Sequence, residues 1–228
     1  MANKAQMFGA IAGPLAAGFV GISMYMAGFI PPTPPTMSLT DLVALYSQNA
    51  TAIRVVAIAM LFLLSGLMLL YSALGDQLWE IEGGSARTCS RIQVTLGGIS
   101  LVPVYGTAAC WALAAYRSER APEITQMLSD LGWYLFVFPV APALFQMWAI
   151  GFAVLSDKSA RPKFPRWYGF LCFWVGILLM TGLFVPFFKV GPFAWNGLLA
   201  FWVAAITLGI WINITGALVL GVAKQGRA

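Results

Sequence analysis

The sequence contains no histidine, and charged residues make up only 9% of its 228 positions. A soluble domain carries about 25% charged residues, so this chain has too few to cover a water-facing surface. The absence of histidine excludes histidine-ligated haem, histidine-based zinc sites and Ser-His-Asp triads. Three cysteines cannot form a closed disulfide framework. The remainder is predominantly apolar, since 60% of the residues are hydrophobic.

Six long segments lack any Asp, Glu, Lys or Arg, and they span residues 8–30, 55–75, 92–116, 131–156, 167–188 and about 197–222. A bilayer core requires about 20 apolar residues per helix. We therefore predict an all-α, polytopic membrane protein: one domain of six transmembrane helices arranged as three hairpins. The first segment follows Lys4 as in a signal peptide, but its 23 residues are too many for an apolar region of about 7–15. We expect it to be retained as the first span.

The basic residues are divided unevenly between the two sides of this arrangement. Nine lie on the side of the termini: Lys4, Arg87, Arg91, Lys158, Arg161, Lys163, Arg166, Lys224 and Arg227. Four lie on the other side: Arg54, Arg117, Arg120 and Lys189. The eight acidic residues divide evenly, so the asymmetry follows the positive-inside rule. We expect an integral, multi-pass protein of the cell membrane (the inner membrane, in a bacterium), with cytoplasmic termini and no nucleic-acid partner. Residues 159–166 have a second interpretation, contact with anionic lipid headgroups.

Prolines predict where helices begin, end and bend. The proline-rich connection 31–36 ends the first span, because proline cannot continue a helix. Ser38 and Asp41 then form the pattern of a capping box that opens a short outer interfacial helix, and Pro122 opens a second one. Inside the fourth span, Pro139 and Pro142 each remove a backbone donor, so we expect that span to bend.

The predicted spans carry no residue set for catalysis. None of the acidic residues lies deep within a span, so the usual proton relay has no candidate, and no lysine occupies a mid-membrane position. Phosphate-binding Gly-Lys-Ser/Thr loops and potassium-channel filter sequences are also absent. We expect no enzyme activity, no cofactor and no metal site.

Small residues recur every four positions on the first and last spans. In the first span they are Gly9, Gly13, Ala17 and Gly21, and Gly209 belongs to the corresponding stripe of the last span, at positions 205–221. Such stripes let membrane helices approach closely, so they predict helix–helix contacts. The partner helix is either in the same molecule, which we favour, or in another subunit.

Four uncharged polar residues are predicted to lie at a common depth, roughly 12–15 Å from the inner ends of their spans, and they are Ser65, Ser100, Gln146 and Asn213. Tyr105 and Trp148 are expected nearby. Burying an amide without a partner costs about 2–7 kcal/mol, so Gln146 and Asn213 should point inward. Either this layer is an internal hydrogen-bond network, or it lines a cavity and holds the polar head of an apolar ligand.

Two functions fit these features. The first is binding or passage of an apolar or weakly polar small molecule such as a lipid, isoprenoid, sterol or hydrocarbon, since small-molecule pockets are mostly apolar with a few placed polar groups. The second is an accessory or scaffold role, in which the small-residue stripes dock other membrane proteins or copies of the chain. The partners expected are therefore the bilayer, an apolar ligand, and a homo-oligomer or membrane-protein partner.

The topology can be tested at Cys89, which lies beside Arg87 and Arg91 between the second and third predicted spans. We expect a membrane-impermeant thiol reagent to miss Cys89 in intact cells and to label it after permeabilisation. Rapid labelling from outside would reverse the orientation of every connection.

Overall fold

The computed structural model describes residues 2–84, 86–117 and 119–225. These residues contain no β-strand, and their α-helices are α1 (Ala2–Met26), α2 (Leu39–Gln48), α3 (Ala50–Glu82), α4 (Thr88–Ala114), α5 (Pro122–Val137), α6 (Ala141–Ser156), α7 (Arg166–Leu179) and α8 (Ala204–Gln225). A 3₁₀ segment, Met180–Phe187, continues α7, and a π-helical segment, Leu198–Val203, leads into α8. Arg227, counted above among the basic residues near the termini, lies outside the described residues.

Six helical stretches are long and apolar enough to cross a membrane, which confirms the predicted all-helical, six-span fold class. They comprise α1 from Lys4, α3, α4, α5 with α6, α7 with its 3₁₀ segment, and the π segment with α8. The fourth stretch is interrupted between Val137 and Ala141. The break falls at the predicted bend, because Pro139 and Pro142 cannot donate the backbone hydrogen bonds of a continuous helix.

Helix α3 is longer than the segment 55–75 predicted for it. It begins at Ala50 and runs 33 residues to Glu82, because the first helix breaker after the apolar run is Gly83. Gly83 adopts a left-handed conformation (φ 60°) and donates its N–H to the Trp79 carbonyl, as glycine does at helix C-termini. Trp79 therefore lies on a helix rather than in a loop.

The short helix α2 begins where the capping pattern predicts. The Ser38 hydroxyl oxygen accepts the Asp41 N–H at 3.1 Å, and the same hydroxyl donates to the Asp41 carboxylate at 2.6 Å. These bonds satisfy one of the free donors at the helix start and direct the chain from the proline-rich connection into α2.

Long-range contacts define the two ends of the bundle. At one end, which we call the terminal end, the Gln6 amide contacts Asp76 at 3.5 Å and the Gln77 amide donates to the Val219 carbonyl at 3.1 Å. At the opposite end, the Trp195 indole donates to the Thr33 carbonyl at 2.8 Å. Between these ends α1 packs against α3 and α8, and α3 packs against α4. Helix α4 packs against α5 and α6, and α6 packs against α7.

Glycines on α1 and α3 bring these two helices into close contact. A Cβ atom on Gly9 would lie 2.5 Å from the Leu69 carbonyl oxygen, and one on Gly66 would lie 2.8 Å from the Ala12 carbonyl oxygen. Gly13 is buried against the Leu70 side chain, and Ala17 is partly buried against the same core. The helix contact predicted for Gly9, Gly13 and Ala17 is therefore present within one molecule.

At Gly21 and Gly209 the favoured contact within the molecule is absent, since neither has anything within 4 Å of an added Cβ. On α8 the contact is made instead by Gly216, whose Cβ would lie 2.6 Å from the Ala10 carbonyl oxygen of α1. Small residues lie both on the α8 face of Gly209 and on the face of Gly216. The four-residue spacing could not distinguish the two faces, and the predicted stripe lies on the one that points away from the bundle.

Gly13 and Gly21 provide a matched pair for testing the α1–α3 contact. Gly13→Leu is expected to lower the free energy of unfolding by about 1–3 kcal/mol, because the new side chain overpacks against Leu70. Gly21→Leu, on the same helix, should leave stability unchanged. Thermal unfolding of both variants in detergent measures the difference. Equal melting temperatures for Gly13→Leu and wild type would contradict the contact between Gly13 and Leu70.

Candidate functional site

The residues predicted to form one polar layer are not brought together. Gln146 is fully buried, Ser100 and Trp148 are half-buried, and the other three are exposed on the outside of the bundle: Ser65, Tyr105 and Asn213. The depth estimate placed these residues along the helix axes but did not determine the direction in which each side chain points.

Asn213 contradicts the expectation that both amides point inward. Its side chain is exposed, and its amide N–H donates to the Gly209 carbonyl at 2.9 Å on its own helix. The Ser65 hydroxyl is likewise exposed and donates to the Leu61 carbonyl at 3.0 Å. A side chain that bonds one turn back along its own helix satisfies a donor without entering the core, so polarity did not force either residue inward.

Gln146 occupies the interior between α3, α4 and α6. A Cβ on Gly97 would lie 2.5 Å from the Gln146 amide nitrogen and 2.8 Å from the Tyr71 ring, so glycine makes room for both side chains. Neither the amide nitrogen nor the amide oxygen of Gln146 has a hydrogen-bond partner among the described residues. An unpaired buried amide is costly, so Gln146 occupies an energetically unfavourable polar position in the bundle.

Two further buried glutamines lie between Gln146 and the terminal end, and sequence reasoning missed both. Gln93 of α4 is fully buried near Gly75, with both amide atoms unpartnered among the described residues. Gln77 of α3 donates to the Val219 carbonyl of α8. The four-residue spacing of Gln93 and Gly97, about one helical turn, could have predicted that Gln93 is buried. A small residue one turn away from a polar residue indicates a helix face that a neighbouring helix approaches closely.

A second buried polar group joins α7 to α8. The Tyr168 and Thr215 hydroxyls lie 2.8 Å apart, and the Trp211 indole N–H points to the Cys172 sulfur at 3.4 Å. All four side chains are fully buried. These polar side chains are hydrogen-bonded to one another, so we interpret the group as a structural contact that holds α7 against α8.

A groove of about 360 Å³ lies between α3 and α4 near the terminal end. Its lining consists of three hydroxyl side chains, one acid, one base, an aromatic ring, a glycine and a valine. These residues are Ser72, Gly75, Asp76, Trp79, Ser90, Arg91, Val94 and Thr95. Gly75 forms part of the lining where α4 comes close, since a Cβ there would lie 2.6 Å from the Val94 side chain. Ser72, Asp76, Trp79, Arg91 and Thr95 are exposed, so the groove opens on the outside of the bundle.

Two arginines at the start of α4 surround the Trp79 ring. The guanidinium carbon of Arg87 lies 4.1 Å from the ring centroid and that of Arg91 lies 5.6 Å from it. The two arginines are four residues apart and therefore share one side of the chain. Cation–π attraction of this kind holds an aromatic ring and positive charge together at one edge of the groove.

Arg91 has no ion pair among the described residues, although the Asp76 carboxylate lines the same groove. Glu82 accepts the backbone N–H groups of Cys89 and Ser90, both at 2.8 Å, and so caps α4. Glu80 forms an ion pair with Lys163 of the α6–α7 connection. The guanidinium of Arg91 is therefore the cationic hydrogen-bond donor in the groove that is available to a ligand.

The outer faces of α3 and α4 continue from the groove toward the middle of the bundle. Ser65 lies seven residues before Ser72, and Tyr105 lies eleven after Val94. Seven and eleven residues are about two and three helical turns, so each pair shares a face. The Met68 side chain contacts the position of Gly98 at 3.7 Å. Two of the predicted site residues, Ser65 and Tyr105, thus lie on the faces that continue from the groove.

The α6–α7 connection beside Glu80 is ordered by Asp157. Its carboxylate accepts the N–H groups of Ser159 at 3.0 Å and Lys163 at 3.1 Å. Partial burial acts to raise the pKa of Asp157, but these hydrogen bonds and the Lys163 charge outweigh it and hold the pKa below its ordinary value. The ionised carboxylate therefore keeps Lys163 in place beside Glu80.

The fold and surface define a multi-pass α-helical membrane protein. Large apolar side chains remain exposed along its helices, including Leu15 at 69%, Phe62 at 65% and Trp174 at 62%, as expected for a surface that faces lipid. Comparison with protein-family models, curated proteins and solved structures found no match to this chain.

Gly97 and Gly98 provide adjacent positions for testing the interior around Gln146. Gly97→Ala is expected to cost about 1–3 kcal/mol of unfolding free energy, because its methyl group would overlap Gln146 and Tyr71. Gly98→Ala meets only Met68 at 3.7 Å and should be neutral or slightly stabilising, since alanine is favoured over glycine within a helix.

Chemical or thermal unfolding in detergent compares the two variants. The double variant Gly97→Ala/Gln146→Ala should recover part of the loss, because it removes the amide that the new methyl group overlaps. Equal stability of the two single variants would show that α4 does not approach Gln146 in this way.

Proposed function

We propose that this protein binds an apolar or weakly polar small molecule of the lipid class in the groove between α3 and α4. The observation that carries the proposal is the pairing of an unpaired guanidinium, Arg91, with the Trp79 ring in an open groove of about 360 Å³. A polar head with hydrogen-bond acceptors fits this end of the groove. The apolar remainder of the ligand extends along the outer faces of α3 and α4.

The head-binding end offers complementary groups of three kinds. Arg91 supplies positive charge and donors, Asp76 supplies an acceptor, and the hydroxyls of Ser72 and Thr95 supply both functions. Trp79 lies at the edge, and tryptophan is enriched at the headgroup level of membranes. Such a mixed lining favours a head that is hydroxylated or carries an acceptor over a bare hydrocarbon.

Binding is supported better than passage across the membrane. The groove opens at the terminal end, whereas the middle of the bundle is filled by buried side chains such as Leu64, Leu101 and Met147. We propose a non-enzymatic binding protein without a cofactor.

The distribution of charge supports an orientation in the cell membrane. Basic residues that border the α3–α4 groove and the α6–α7 connection lie at the terminal end, including Arg87, Arg91 and Lys163. By the positive-inside rule, we propose that this end and both termini face the cytoplasm. The groove then takes a lipid from the cytoplasmic leaflet.

Asn213 favours a second function, assembly through α8. This amide is exposed beside Gly209 on a face of small residues, and only its N–H is bonded among the described residues. A polar group facing lipid is costly, and membrane helices with small residues and an amide associate readily. An accessory or self-assembling role would use this face, with another copy or another membrane protein as partner.

Native mass spectrometry of the detergent-purified protein tests the binding proposal. We expect one lipid to remain bound per chain and expect Arg91→Gln to weaken its retention about 10- to 100-fold, since a hydrogen bond to a charged group contributes about 1.5–3 kcal/mol. Arg166→Gln is the control, because Arg166 is also an exposed cation at the terminal end but does not line the groove.

Equal retention by the two variants would separate the lipid from the groove and contradict the proposal. The same spectra report the number of chains. A dimer that is lost in Asn213→Leu, with no lipid bound to wild type, would favour the assembly function instead.

A further inference from the structure

Opposite charges line the two walls of the groove between α3 and α4. Helix α3 contributes Asp76 and α4 contributes Arg91, and both side chains are exposed. No ion pair joins them or engages either of them among the described residues. The Gln6 amide contacts the Asp76 carboxylate at 3.5 Å, a long distance for a hydrogen bond, and it is neutral. Each charge is therefore available to a ligand group of the opposite sign.

Hydroxyl groups lie beside both charges. Ser72 precedes Asp76 by four residues on α3, and Thr95 follows Arg91 by four residues on α4, so each hydroxyl shares a helix face with a charge. The Ser72 hydroxyl donates to the Met68 carbonyl at 2.8 Å, which leaves its oxygen as an acceptor. Next to the Asp76 carboxylate, this acceptor favours a cation that carries several N–H donors.

The Trp79 ring already has two cations on it. The guanidinium of Arg87 lies 4.1 Å from the ring centroid and is held by a hydrogen bond from its Nε to the Gly84 carbonyl at 2.8 Å. The guanidinium of Arg91 lies 5.6 Å from the same centroid. A quaternary ammonium has no N–H to donate and is recognised through aromatic faces. Since Trp79 is the one aromatic residue of the described lining, the groove favours a primary ammonium over a trimethylated one.

Apolar side chains continue from the groove along the outside of both helices. Leu69 and Phe62 are exposed on α3, and Ile99 and Val102 are exposed on α4. Leu69 and Phe62 are about two helical turns apart, and Ile99 and Val102 about one, so they extend the groove toward the middle of the bundle. A surface of this kind suits acyl chains and indicates a lipid rather than a free, soluble head.

Resting on the proposed lipid site, we infer that its ligand is a zwitterionic phospholipid with a primary ammonium, of the phosphatidylethanolamine class. The phosphate accepts hydrogen bonds from Arg91, because the planar guanidinium matches phosphate oxygens in geometry and charge. The ammonium donates to the Asp76 carboxylate and the Ser72 hydroxyl. The groove volume of about 360 Å³ falls within the range of small-molecule sites, about 300–1,000 Å³. Both unpaired charges are matched in this way, which an anionic lipid or a hydrocarbon would not achieve.

Competition among lipids with identical acyl chains tests the assignment. The protein is reconstituted in nanodiscs that contain equal amounts of phosphatidylethanolamine, phosphatidylcholine and phosphatidylglycerol, and native mass spectrometry identifies the lipid retained by each chain. We expect phosphatidylethanolamine to be retained about fivefold over each of the other two, the upper end for an ion pair at a protein surface. Retention of its N-methyl and N,N-dimethyl derivatives should decrease stepwise, because each methyl group removes one N–H donor.

Two variants assign the preference to the acidic wall. Asp76→Asn removes the charge at nearly constant size, so it should abolish the preference for phosphatidylethanolamine while a lipid is still retained through Arg91. Glu123→Gln, at an exposed acid of α5 outside the groove, should keep the preference.

The outcomes separate this inference from the lipid site on which it rests. Equal retention of the three lipids by wild type, still weakened by Arg91→Gln, would overturn the inference and leave the lipid site in place. A preference for phosphatidylglycerol, or a preference for phosphatidylethanolamine that persists in Asp76→Asn, would also overturn it. The absence of any retained lipid, or retention unaffected by Arg91→Gln, would overturn the lipid site and the inference together.

Discussion

The bundle is organised around the close approach of α1 and α4 to α3. Within a bilayer the helices gain little from hydrophobic burial, so they associate through tight packing. Gly9 and Gly66 bring backbone atoms into contact on the α1 side, and Gly75 and Gly97 make room on the α4 side. This packing fixes the position of α3, which contributes both to the interior around Gln146 and to the groove at its outer surface.

The same packing separates two kinds of polar group. In the interior, Gln93 and Gln146 are enclosed where α4 approaches α3 and α6. Outside, the carboxylates of Glu80 and Glu82 are satisfied by Lys163 and by the start of α4. Among the described residues of the groove, the Arg91 guanidinium beside the Trp79 ring and the Asp76 carboxylate form no ion pair. The proposed lipid site therefore follows from which charges the fold satisfies and which it leaves available.

Much of the fold could be predicted from sequence, because the absence of charge over about 20 residues is a strong signal for a membrane span. Ser38 and Pro139 likewise marked a cap and a break through local backbone chemistry. The inward faces could not be predicted in the same way, since lipid is as apolar as the bundle core. Gly209 and Gly216 both fit a small-residue stripe, yet only Gly216 contacts α1.

The candidate site was predicted only in part for a related reason. Gln146 is buried as expected, whereas Asn213 satisfies its donor on its own helix and remains outside. The groove itself was missed because it depends on α3 continuing to Glu82, which carries Trp79 to the level of Arg91. Only the three-dimensional placement of α4 brings Ser72 and Asp76 to the same groove as Thr95.

Photo-crosslinking can show whether a lipid occupies the groove between α3 and α4. A photoactivatable lipid with its reactive group near the head would be incorporated with the protein into nanodiscs, and the labelled peptides would be identified by mass spectrometry. We expect labelling to be concentrated at residues 72–79 and 91–95. We also expect this labelling to be lost when excess unlabelled lipid is added. Labelling spread evenly over the exposed helices, or concentrated on α6 and α7, would contradict it.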